Sequence, residues 1–432
     1  MYLAANGRPD APPAPQGVRR RVPAAVLALG AVSLVTDVSS EMVTAVLPLY
    51  LVLDLGLSPL QFGFLDGMFN GATALVRLLG GRLADRGGRH KRVAGAGYLL
   101  SALSRLGLLL AGGATAGIAA ALAADRLGKG VRTAPRDALI SLSGPPESLG
   151  RSFGVHRAMD TTGALLGPLA AFAVLWATAD AYDAVFAVSF CVGLLGVLLL
   201  VVYVPSAPGA TGRAATPTPA PAPAPGPAFA ALRDPAFRRV LYAAALLGAT
   251  TIGDAFVYLL LLRALDMPPV LFTLLPLGAA AVYLLLAVPL GRIADRTGRR
   301  TAFLCGHLAL LGAYAALLAP VSWPSLVGVL ALLGVFYAAT DGVLMALAAP
   351  VLPAHGRAGG LALLQTGQAL ARLLGAAGFG AAWTLWGPRP ALGVAVLALA
   401  GALAAAWRVL PALTARAAPA RTPAPAPPTE SS

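Results

Sequence analysis

Two carboxylates four residues apart, Asp37 and Glu41, lie inside an apolar stretch running from about residue 23 to 53. On a helix that spacing is one turn along one face. At 1.5 Å per residue Asp37 sits roughly 22 Å along such a helix, close to mid-membrane for a long tilted span. An ionised carboxylate there costs about 2.5–3.5 kcal/mol on insertion scales. The pair must therefore face a cavity, meet a base or take up a proton, and a proton carrier or a cation site needs those properties. Thr36, Ser39 and Ser40 add neutral hydrogen-bonding groups beside them.

The stretch DRLGKGVRTAPRD, 125–137, supplies the matching bases. Asp125, Lys129, Arg132 and Arg136 fall at i, i+4, i+7 and i+11, a single helical stripe, with Asp125 and Lys129 spaced to pair within it and Arg126 pointing elsewhere. A phosphate-binding loop is excluded, because Lys129 is followed by Gly130 rather than Ser or Thr and the upstream glycine is missing. Lysine is rare in this arginine-rich sequence, with only Lys91 and Lys129 present. An ammonium can give up a proton where a guanidinium stays charged, so Lys129 reads either as a proton carrier or as the salt-bridge partner of Asp125. His156, Arg157 and Asp160 follow at i, i+1 and i+4, within reach of Arg132 to Asp137 on a neighbouring helix, with His156 as a possible relay. Asp254 and Asp341 are midspan acids of the second half, and Asp66 reads as a rim residue.

The elements that hold these groups are membrane spans. The 432 residues are 58% apolar and 12% charged, against about 25% charged in soluble domains. Breaking the apolar runs at charged and Pro/Gly-rich segments gives twelve helices, and the expected fold is all-α and integral to the membrane. Residues 1–22 read as a disordered cytoplasmic start, 23–204 as a six-helix bundle, and 205–236 as a Pro/Ala-rich cytoplasmic linker. A second six-helix bundle follows at 237–411, then a disordered cytoplasmic tail at 412–432. An even number of spans puts both termini on one side. Most of the basic residues lie on that side, so the positive-inside rule makes it cytoplasmic. The same rule explains the net charge of +14 without nucleic acid. Cys191 and Cys305 both fall in apolar runs, which argues against a disulfide or a metal pair.

The chain repeats itself. GGRLADRGGRHKR at 80–92 returns as LGRIADRTGRR at 290–300, each copy closing the second span of its half. At these residues the sequence resembles the major facilitator superfamily of secondary transporters, whose signature Gly81, Asp85, Arg86, Gly88 and Arg89 supply, with Gly291, Asp295, Arg296, Gly298 and Arg299 as the echo. The resemblance implies two pseudo-symmetric six-helix bundles, alternating access, and a conformational latch at these loops. TDVSSEM, GKGVRTAPRDAL and GDAF are similar to a bacterial branch described only as permeases. GALLGP, with Gly163, Gly167 and Pro168, resembles the core of the antiporter motif of drug exporters, although Ala171 and Phe172 replace that motif's next glycines.

Together these readings predict a monomeric inner-membrane transporter and no enzyme. It would export a small amphipathic molecule in exchange for protons, without cofactor or metal, and use Asp37, Glu41, Asp125, Arg126, Lys129, Asp160, Asp254 and Asp341. A proton-coupled importer, a cation exporter and a non-transporting sensor are the alternatives.

Overall fold

With no water inside a bilayer to bond peptide groups, each span has to satisfy its own backbone, and every described span is helical. The computed structural model describes residues 22–68, 90–143, 149–205, 228–341, 343–352 and 357–410. The first copy of the repeated loop, Gly81 to Arg89, lies outside them, as do residues 1–21, most of the linker, and 411–432.

Among the described residues, twelve helices form the framework. We name them α1 (Ala24–Leu49, extended by a π turn at Tyr50–Asp54), α2 (helical over 59–68), α3 (His90–Leu110), α4 (Thr115–Leu142), α5 (Leu149–Ala177) and α6 (Tyr182–Tyr203). The second half comprises α7a (Pro235–Ala249), α7b (Asp254–Ala264), α8 (Leu275–Thr297), α9 (Arg299–Ala316), α10a (Trp323–Thr340), α10b (Val343–Ala348), α11 (Arg357–Trp386) and α12 (Pro388–Val409).

Local chemistry sets the ends. Asp234 accepts hydrogen bonds from Ala236 N (2.7 Å) and Phe237 N (3.4 Å), with Pro235 at the first helical position. That cap starts α7a just before the expected end of the linker. Asp234→Ala should lower stability by about 1 kcal/mol, read as a small drop in the melting temperature of the purified protein. Ser322 and Ser325 form a reciprocal capping box at α10a. Gly298, at φ +102°, makes the abrupt turn from α8 to α9 that a residue with a Cβ would strain.

The two halves pack alike. In the first half α1 lies on α5 and α6, α3 on α4 and α6; in the second α7a lies on α11 and α12, α9 on α10a and α12. Adding six to each number of the first set gives the second, so the duplication in sequence is a duplication of packing.

The halves meet at the helix ends remote from the termini. Leu60 N of α2 donates to Thr384 Oγ1 of α11 (3.1 Å). Phe62, Phe256, Phe379 and Trp383 stack edge to face with centroids 4.9–5.8 Å apart, and Arg263 covers Trp383 at 5.3 Å. A Cβ at Gly63 or Gly380 would collide with the backbone of Ala376 or Pro59, so α2 and α11 touch main chain to main chain.

Candidate functional site

Helix α1 is the post on which the polar groups hang. Its Ser39 Oγ donates to Ser189 O (2.8 Å) and Ser189 Oγ donates to Ser39 O (2.7 Å), tying α1 to α6. On another face, a Cβ at Gly163 would meet the Leu34 carbonyl, and one at Gly167 would lie 3.0 Å from Met42 N and against the Cβ of Glu41. The α5 glycines therefore let α5 lie directly on α1 beside its carboxylates, and α5 runs as helix through Pro168. Gly163→Val should force these helices apart at a cost of about 1–3 kcal/mol. A lower melting temperature together with lost transport would show it.

The third face of α1 meets α4. The two helices run antiparallel, so one turn up α1 corresponds to one turn back along α4. Asp37 Oδ1 lies 3.3 Å from Arg132 Nη2, and Glu41 Oε1 lies 3.6 Å from Lys129 Nζ. A third rung comes from α3, where Arg105 donates to Ser40 Oγ (2.8 Å) and pairs with Asp125 (3.0 Å). Close packing of Gly97 against Gly128 sets that register: a Cβ on either would come within 2.8 Å of the other's carbonyl oxygen. Arg126 Nε adds a bond to Asp125 at 3.0 Å. Toward the termini, Asp160 accepts from Ser33 Oγ (2.7 Å) and pairs with Arg136 (3.5 Å) and Arg157 (3.6 Å).

This arrangement corrects two expectations. Asp125 and Lys129 do not pair along α4; Asp125 meets Arg105 on α3 and its neighbour Arg126, and Lys129 meets Glu41 on α1. Arg126 does not point away but is buried against Asp125. The interhelical pairing of α4 with α5 is present, as Arg136 with Asp160. His156 is buried one turn from Asp160, and its Nε2 has no hydrogen-bond partner among the described residues. With Asp37 and Glu41 each held by its own base, the two carboxylates are not arranged as shared ligands of a cation.

The rungs differ in access. The side chains of Arg105 and Arg132 are 3% exposed and those of Asp125 and Asp37 10% and 11%, whereas Glu41 and Lys129 are each 27% exposed. The Glu41–Lys129 pair is thus the longest and most open of the three rungs.

Between the halves lies a cavity of about 430 Å³. Its α1 wall begins at Thr44, the next residue on the stripe of Asp37 and Glu41. Glu41 is thus one turn from the cavity, roughly 4.5 Å along the axis, while Asp37 belongs to the ladder. Of the carboxylates on α1 and α7, only Asp254 lines the cavity among the described residues. The seventh span breaks at Thr250–Gly253, and Asp254 opens α7b into the cavity, where helix N–H groups favour a carboxylate. Tyr337 donates to Asp254 Oδ2 at 2.5 Å, and Ile252 N, freed by the break, donates to Tyr314 Oη at 2.8 Å. Asp341 ends α10a, exposed, with Tyr283 Oη donating to it at 3.4 Å.

Four cavity groups escaped the sequence reading: Arg372, Gln365 and Gln368 on α11, and Tyr337 on α10a. Asp66, read as a rim residue, also lines the cavity. Arg372 and Arg105 are the lone charges of their apolar spans. The cost of charge in hydrocarbon flags them as it flagged Asp37. In the echo loop, Arg299 donates to Ala346 O of α10b (2.8 Å), and Arg300 donates to Trp407 O and lies 5.2 Å over its ring. Arg296 is exposed, and Gly291 has open space where a Cβ would lie.

Comparison with known proteins places this architecture. The family model of the Major Facilitator Superfamily matches residues 29–281 and 254–431. An uncharacterised transporter of this type from Methanocaldococcus jannaschii is 32% identical over 44% of this chain and 47% of its own length. An uncharacterised protein of Mycobacterium tuberculosis is 36% identical over 36% of this chain and 38% of its own. The chain thus spans less than half the length of the curated relatives it matches. Solved structures agree in fold: a bacterial homologue of the human lysosomal transporter Spinster, inward-facing, has a TM-score of 0.73 at 16% identity, covering 89% of this chain and 96% of that one. A nucleoside transporter gives 0.74 at 14% identity, over 89% and 99%, and a peptide transporter 0.72 at 17%, over 91% and 95%. With its duplicated bundles, its cavity between them and this match along the length of both halves, the chain belongs to the major facilitator superfamily and is a multi-pass membrane protein.

Proposed function

We propose that this transporter exports a small amphipathic molecule in exchange for protons, as a monomer in a bacterial inner membrane with both termini in the cytoplasm. The observation that carries the coupling is the Glu41–Lys129 pair, partly open, bridging α1 and α4, one turn from the cavity wall. When Glu41 takes a proton its attraction for Lys129 is lost, and α4 is freed from α1 at that rung. Asp37–Arg132 and Asp125–Arg105 lie too deep to exchange so readily and keep the bundle registered. The remote ends are joined by the aromatic seam, which is the closed side in an alternating-access cycle. The opposite ends would close in the other state, held by the repeated loops acting as a latch. Export is favoured by the α5 glycines Gly163 and Gly167, which seat the antiporter-like segment against Glu41 itself.

The test is proton flux. Purified protein is reconstituted in liposomes holding a pH-sensitive dye, and substrate is added. Proton movement that depends on Glu41 supports the reading; substrate flux with no proton movement sinks it.

A further inference from the structure

We propose that the cavity takes a zwitterion, an amphipathic molecule whose anionic group docks on Arg372 and whose amine is held by Asp254. This rests on the transport reading but not on proton coupling. Arg372 projects from α11 into the cavity, and its guanidinium has no hydrogen bond or ion pair with any described residue; its Nε is buried without a partner. A guanidinium offers five N–H donors in a planar fork, and one left unmatched inside a membrane protein marks a place where a ligand supplies the acceptors. The other cations of the bundle interior, Arg105, Arg126, Lys129, Arg132 and Arg136, all have acids.

The surroundings fit an anion the size of a carboxylate. Gln365 and Gln368 share the cavity face of α11 with Arg372, at i, i+3 and i+7, and bring amide donors to the same patch. Opposite stand Asp254 and Asp66, the latter with Oδ2 packed so closely on Gly253 that a Cβ there would lie 2.5 Å from it. Asp254 and Arg372 thus give the cavity one acid and one base. A simple anion would meet that acid, and a simple cation would leave Arg372 unmatched. A molecule bearing both charges satisfies each pole. Leu47, Leu51, Phe272 and Leu373 supply the apolar wall for the rest of it, and about 430 Å³ is room for a small molecule.

The test uses the full chain, purified and placed in lipid nanodiscs, with a size-matched panel: phenylalanine and phenylalanine-containing dipeptides as zwitterions, phenethylamine as cation, 3-phenylpropionate as anion and 2-phenylethanol as neutral. Thermal stabilisation confined to zwitterions, and weakened tenfold or more in Kd by Arg372→Gln and by Asp254→Asn, is the expected result. Gln368→Ala, which removes no charge, serves if Arg372→Gln does not fold, and should weaken zwitterions while leaving phenethylamine unaffected. The proposal is overturned if the amine or the alcohol stabilises as well as the zwitterions, if the substitutions leave zwitterion affinity unchanged, or if no zwitterion stabilises the protein. A zwitterion that binds but moves no protons would overturn the coupling alone.

Discussion

Asp125→Ala is expected to remove most of the folded protein from the membrane. Asp125 is the shared counter-ion of Arg105 and Arg126, all three side chains being about 10% exposed or less. Deleting one partner of a buried ion pair costs about 3–5 kcal/mol, because the other charge stays buried and unmatched. Here the stranded charge is Arg105, whose acid Asp125 is. A membrane bundle with a net stability of the usual order of 5–15 kcal/mol cannot absorb much more than that. The measurement is the yield of monodisperse protein after solubilisation, with its melting temperature. Two controls locate the effect. Adding Arg105→Leu to Asp125→Ala should recover part of the yield, since the stranded charge is gone. Asp137→Ala, whose side chain is 44% exposed beside Arg136, should change little.

Glu41→Gln should leave a folded protein that has lost its coupling. The substitution removes one charge from the most accessible rung and keeps the shape and hydrogen-bonding capacity of the side chain. Coupling free energies between two ligands of a transporter are typically 1–3 kcal/mol, so the dependence of transport on an imposed proton gradient should fall by about 5–150-fold, while substrate exchange at equal pH persists. Lys129 separates the two roles that sequence left open. If it only holds Glu41, Lys129→Arg transports with the proton dependence of the native chain. If it carries the proton itself, Lys129→Arg behaves like Glu41→Gln, because a guanidinium does not deprotonate.

Much of this was legible in the residues alone. Periodicity and the cost of charge in hydrocarbon identified α1 and α4 as the charged helices, and the repeated loops predicted the two bundles. The partners were not legible. Asp125 and Lys129 are ideally spaced to pair on one helix, yet each pairs across the bundle, and only the antiparallel register of α1 and α4 and the Gly97–Gly128 contact decide that. The break at Thr250–Gly253 was equally hidden, since a span of adequate length reads as continuous until Tyr314 and the capping threonines are seen to serve its freed backbone. Arg372 carried a signal that could have been used, a single charge in an otherwise apolar span. Its position opposite Asp254 follows from the packing of α11 on α7a, which no local pattern reports.

The central claim is that Glu41 links proton uptake to the movement of substrate through the cavity. The most direct measurement is dye-reported proton flux in proteoliposomes driven by a gradient of a panel compound that stabilises the protein. The native chain should move protons against substrate, and Glu41→Gln should move substrate without protons. Undiminished proton flux in that variant would contradict the account.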